Sequence, residues 1–182
     1  MNQALAFLRR FRPAASGVAA VEFALIVPML LVVYLGGFAI AQATSTYRKL
    51  ADTTVELANL TSQFTSMQAT DAQGVMAAAA QIMAPFPTGA LSEVLTLVAT
   101  DANSNATVTW SQAYPTASNA LTKGASVTLP TNLAQPSTTY IMVQTSYSYT
   151  PIAGTAFVPT IPMTDQIYIL PRQSTTIPCS TC

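Results

Sequence analysis

Between Arg12 and Arg48 the chain carries one charged residue, Glu22. As a helix, Val18 to Ala41 extends roughly 36 Å, more than the ~30 Å hydrocarbon core of a bilayer, so residues 18–43 read as a transmembrane helix. Arg9, Arg10 and Arg12 precede the run, whereas Arg48 and Lys49 beyond it are diluted by Asp52 and Glu56. The positive-inside bias therefore places 1–17 in the cytoplasm as a basic leader and everything after Ala43 outside. A second reading starts from Ala41-Gln42-Ala43, which has the small-x-small form of a signal cleavage site and would release a soluble chain beginning at Thr44. A signal h-region is only about 7–15 residues long, shorter than this run and free of acids.

Glu22 needs an explanation, because an ionised carboxylate in hydrocarbon costs at least about 2.5 kcal/mol. One answer is that it lies ten residues beyond Arg12 and reaches interfacial water. Another begins at Gly17. A cut after Gly17 would give Val18 a free α-amino group, with Glu22 four positions along the helix on the same face. Amine and carboxylate, on one chain or on neighbours, would attract by about 4 kcal/mol at 4 Å and an effective dielectric of 20, before desolvation is subtracted. Pro28 removes one i to i−4 hydrogen bond within the run and is the expected site of a kink.

The rest of the chain excludes several function classes. Its 182 residues suit one membrane segment and one modest domain. Seven basic residues balance seven acidic ones, so no basic field attracts nucleic acid. Only 8% of residues are charged, which favours an exported or assembled surface over a cytosolic enzyme. The absence of histidine removes Ser-His-Asp and Cys-His arrangements and the commonest metal ligand. Asp71, Glu93, Asp101 and Asp165 are spread along the sequence with no evident reason to converge, and a Ser-Lys dyad would rest on Lys123 in a loop beside Gly124. No enzymatic activity, small-molecule substrate, metal or cofactor is expected. The only cysteines, Cys179 and Cys182, cannot complete a four-ligand zinc shell, and they read as a local disulfide or as free thiols in a frayed tail.

Beyond the membrane, Leu50, Leu57 and Phe64, with Leu60 and Met67, form one apolar stripe that extends the helix to about Met67. Residues 71–84 read as a second helix ending before Pro85, completing an external helical region over 44–84. A β-rich domain follows over 85–170. Glu93 to Thr100 and Ala106 to Tyr114 alternate in hydrophobicity around the turn D-A-N-S-N, and Thr138 to Thr150 and Thr164 to Leu170 supply two more strands. Trp110 is expected on the buried face. Tyr140, Tyr147, Tyr149 and Tyr168 read either as strand residues or as an adhesive patch. Residues 171–182 are expected to form a loose tail unless the cysteines tie it down. The fold class is α+β: a long N-terminal helix, a short second helix and an antiparallel sheet of about four strands.

The basic leader, Gly17 and the following A-A-V-E-F-A-L-I-V-P (19–28) resemble the N-terminus of the TadE-like family of tight-adherence (Tad/Flp) pilus proteins. They also fit the type IV prepilin pattern of Gly at the cut and Glu at mature position five. Y-I-M-V-Q-T-S-Y-S-Y-T-P (140–151) is similar to that family's late tyrosine-rich strand. The resemblance implies a minor pilin or pseudopilin of the bacterial inner membrane, with its C-terminal domain periplasmic or extracellular, processed between Gly17 and Val18 by a prepilin peptidase. Its implied partners are other Tad pilus subunits and the assembly platform, with Glu22 acting in assembly. TadF-like proteins are similar in size, whereas TadG-like proteins carry a larger additional domain.

Overall fold

The computed structural model describes residues 16–151 and 159–182. Most of the basic leader and the stretch between Pro151 and Pro159 lie outside the described residues. The chain divides into two compact units, one ending at Gln42 and the other running from Ala43 to Cys182.

Helix α1 spans Ser16–Ser62 and includes Pro28. In its first unit, apolar side chains face outward, Phe23 at 71% and Leu25 at 74% exposure among them. The helix contains a stretch long and apolar enough to cross a membrane, and none of that stretch is buried. A soluble core helix would instead hide such side chains, so this one is suited to lipid.

In the second unit, α1 changes character. Thr46, Leu50, Thr53, Thr54, Leu57, Ala58 and Thr61 are all buried, at the three- and four-residue spacing of one helix face. The threonine hydroxyls on this face would be costly to bury unsatisfied. Thr53, Thr54 and Thr61 donate back to the carbonyls of Lys49, Leu50 and Leu57 at 2.8, 2.9 and 2.8 Å.

The helix stops at Ser62, short of the expected Met67. The sequence after it offers competing partners for the backbone. The Ser62 carbonyl accepts from the Arg172 amide at 2.9 Å, and the Met67 amide donates to the Pro178 carbonyl at 2.9 Å. Met67 is buried, as the stripe requires, but outside the helix and in a parallel bridge with Cys179.

Helix α2 spans Ala69–Ala79, and a 3-10 turn follows over Ala80–Met83. The expected helix over 71–84 is thus two residues earlier at its start and tightened at its end. Asp71 explains the start, accepting a hydrogen bond from the Gln68 amide at 2.9 Å.

Five strands make one antiparallel sheet: β1 (Leu91–Thr100), β2 (Ala106–Tyr114), β3 (Ser126–Val127), β4 (Thr139–Tyr149) and β5 (Ile161–Ile169), in the order β3-β2-β1-β4-β5. The strand beyond the expected four is the two-residue β3, too short for an alternating pattern to reveal. The hairpin turn between β1 and β2 is held by Asp101, whose carboxylate accepts from the Asn103 and Asn105 amides, both at 2.8 Å, and from Asn105 Nδ2 at 2.9 Å. These bonds to Asn105 and Asn103 hold the Asp101 carboxyl below its ordinary range.

One sheet face carries the main core. Leu95, Leu97, Trp110, Ile141 and Val143 pack with Leu57 of α1, Met76 of α2 and Ile177. The tail expected to be loose is therefore part of the core: Ile177 is fully buried, its carbonyl accepts from Trp110 Nε1 at 2.7 Å, and Thr181 Oγ1 accepts from the Ala69 amide at 2.9 Å. A disulfide joins Cys179 and Cys182, with the Cα atoms 5.6 Å apart. Tyr140, Tyr147 and Tyr149 are buried and only Tyr168 is half-buried, so the four tyrosines do not form one exposed patch. Tyr140 and Tyr147 donate their hydroxyls to the carbonyls of Leu133 and Pro87.

Candidate assembly site on the N-terminal helix

Gly17, Val18 and Glu22 all lie in the first turns of α1, and all three are exposed. A Cβ at Gly17 would meet nothing within 4 Å, so packing does not dictate glycine there. Helical geometry puts Val18 and Glu22 on one face, about 6 Å apart along the axis. Glu22 has no hydrogen-bond or ionic partner among the described residues, and its neighbours on the helix surface, Val18, Val21, Phe23, Leu25 and Ile26, are apolar and exposed. A lone acid on so apolar a surface is a directional element: in lipid, it can be satisfied only by a donor or cation brought to it.

Residues 17–58 match the family described as TadE-like protein. The segment is TadE-like. The match starts at Gly17, takes in Val18, Glu22 and Pro28, and ends at Ala58, so it lies wholly within α1. It thereby includes both the outward-facing apolar half of the TadE-like helix and the Leu50 and Leu57 positions that enter the core. The helices and sheet beyond Ala58 lie outside it, and no curated protein and no solved structure matches the chain.

The remaining ionisable groups occupy different settings. Lys123 is exposed in the loop before β3. Among the described residues, no cluster of three or more His, Cys, Asp or Glu is placed to hold a metal ion. The sheet register does, however, bring two carboxylates into one cross-strand row that sequence separation had hidden: Tyr114, Glu93, Thr145 and Asp165 are successive partners on β2, β1, β4 and β5. With strands about 4.8 Å apart, Glu93 and Asp165 stand roughly 10 Å from each other, with Thr145 between them.

Glu93 is the residue that sequence reasoning missed. It is fully buried, and neither carboxylate oxygen has a hydrogen-bond partner among the described residues. Burial pushes its carboxyl up from 4.5 to about 8. The signal was present in L-S-E-V-L-T-L, where Glu93 is in phase with Leu91, Leu95 and Leu97 at a period of two. On the opposite face, Ser92, Gln144, Ser146, Thr164 and Gln166 line an open groove of about 770 Å³, with Asn119 and Asp165 also contributing to its walls.

Proposed function

We propose that this chain is a minor pilin or pseudopilin in Tad pilus assembly, anchored in the inner membrane by α1 with its leader in the cytoplasm. A prepilin peptidase cuts between Gly17 and Val18, and Glu22 then pairs with the new α-amino group of its own or a neighbouring subunit. The role is one of assembly, without enzymatic chemistry. The observation that carries this reading is the TadE-like match over 17–58, on a helix whose first half exposes an unbroken apolar surface around one acid.

A second reading has its own support. The boundary between the two units falls between Gln42 and Ala43, within the Ala41-Gln42-Ala43 motif, as a released adhesin starting at Thr44 would need. The intact mass of the protein purified from its native cell separates the readings. A chain beginning at Val18 supports the pilin. One beginning at Thr44 supports the adhesin, and one beginning at Met1 makes the protein an uncleaved envelope scaffold.

A further inference from the structure

Glu93 lies where two groups of core residues meet. Leu91 packs with Leu50, Ala80 and Met83, whereas Leu95 packs with Leu57, Met76 and Ala79, and Glu93 stands between Leu91 and Leu95 on β1. Directly across on β4 is Thr145, whose hydroxyl lies 2.6 Å from that of Thr54 on α1. This buried hydroxyl pair links the helix to the sheet. Among the described residues, the titratable groups sharing Glu93's sheet face are Tyr114 beside it on β2, Tyr147 one step and Tyr149 two steps along on β4, and Asp165 beyond Thr145 on β5. The buried residues presented by α1 and by α2 with its 3-10 turn include Leu50, Thr54, Leu57, Met76 and Met83, none of which titrates. The charged residues of α1 nearest that face are Lys49, half-buried, with Asp52 and Glu56 exposed. Among the described residues, no cation is placed on either carboxylate oxygen to compensate an ionised Glu93.

We propose that Glu93 makes the seam between α1 and the sheet a proton-dependent clasp, closed when the side chain is a neutral acid and loosened when it ionises. The neutral acid can stay among Leu91, Leu95 and the flanking methionines. The carboxylate cannot, since a buried unpaired charge must recruit a donor or water. Thr145 stands directly opposite in register with its hydroxyl on a short side chain, and drawing that hydroxyl to the carboxylate breaks its bond to Thr54.

The direction with pH follows from linkage. With Glu93 at about 8 in the folded chain and 4.5 as its ordinary value, the folded state holds a proton that the unfolded state releases. The favourable contribution is therefore complete below pH 4.5 and is lost progressively as pH rises to about 8. Between pH 5 and pH 9 the unfolding constant should rise on the order of several-hundred-fold through this one group.

The test uses the full chain in detergent micelles, with denaturant unfolding of wild type and Glu93→Gln at pH 5 and pH 9. The expected result is a large fall in the wild-type midpoint that Glu93→Gln abolishes, while the exposed control Glu56→Gln retains it. Hydrogen exchange, corrected for intrinsic rates, should show protection over residues 50–57 lost at pH 9 in wild type only. Should Glu93→Gln fail to fold, carboxyl-13C NMR of the wild type still decides the matter, because only Glu22, Glu56 and Glu93 contribute glutamate signals. Glu93 titrating near pH 8 supports the clasp. Glu93 titrating below pH 5, or Glu93→Gln retaining the wild-type pH dependence, overturns it.

Discussion

The indole nitrogen of Trp110 donates to the carbonyl of Ile177 across 2.7 Å, fastening the C-terminal segment to the second strand of the sheet. The bond is buried, and it converts a polar, proline-flanked stretch into part of the core. Trp110→Phe keeps an aromatic side chain, though a smaller one, and leaves the Ile177 carbonyl without its donor. The expected loss is about 1–3 kcal/mol in denaturant unfolding, the cost of a buried unsatisfied group.

The same segment contains two anchors of different weight. Ile177→Ala empties a fully buried site and should cost about 2–5 kcal/mol. Cys182→Ser opens a disulfide that closes a loop of only four residues, and should cost no more than about 2 kcal/mol. Side-by-side denaturation of the two variants checks the order.

Thr54 and Thr145 share one hydrogen bond, so their removal should be strongly non-additive. Thr54→Val strands the Thr145 hydroxyl and should cost about 1–3 kcal/mol, Thr145→Val leaves Thr54 bonded to the Leu50 carbonyl and should cost less, and the double variant Thr54→Val, Thr145→Val recovers most of the Thr54→Val loss. A double-mutant cycle measures the coupling directly.

Glu93→Met replaces the lone acid between the two core groups with a flexible apolar side chain. Any packing change it introduces is the same at every pH, so the informative quantity is the difference between pH values. Its stability relative to wild type should be about 4 kcal/mol more favourable at pH 9 than at pH 5, the equivalent of a several-hundred-fold change. Thermal or denaturant unfolding at the two pH values measures it.

Glu22→Ala should leave expression and membrane insertion intact and abolish recovery with sheared pili, with Glu22→Asp partly retained. Fractionation and immunoblotting of the three strains check this, and normal piliation by the alanine strain would remove Glu22 from assembly.

The apolar helix, the stripe through Leu50 and Leu57, and the β1–β2 hairpin were legible because each depends on local periodicity or turn chemistry. Trp110 was placed on the buried face for the same reason. What escaped depends on partners distant in sequence. The helix end at Ser62 is set by Arg172, and the burial of the tail is set by Trp110 and Met67. The short β3 exists only because β2 lies beside it. Glu93 was visible as an acid in a hydrophobic phase, but its isolation depends on Thr145 and on the helices that close over it. Gly17, Val18 and Glu22 of the candidate site could be grouped from sequence because one helix holds all three.

The position of Ile177 also carries a consequence for biogenesis. The ribosome delivers it after every other buried hydrophobic residue of the described core. Until it has been made, Trp110 has no acceptor for its indole and the surface under Met67 stays open. The unit from Ala43 to Cys182 must therefore close after synthesis of that segment and not during it, leaving a partly built chain with an open core face until the segment arrives.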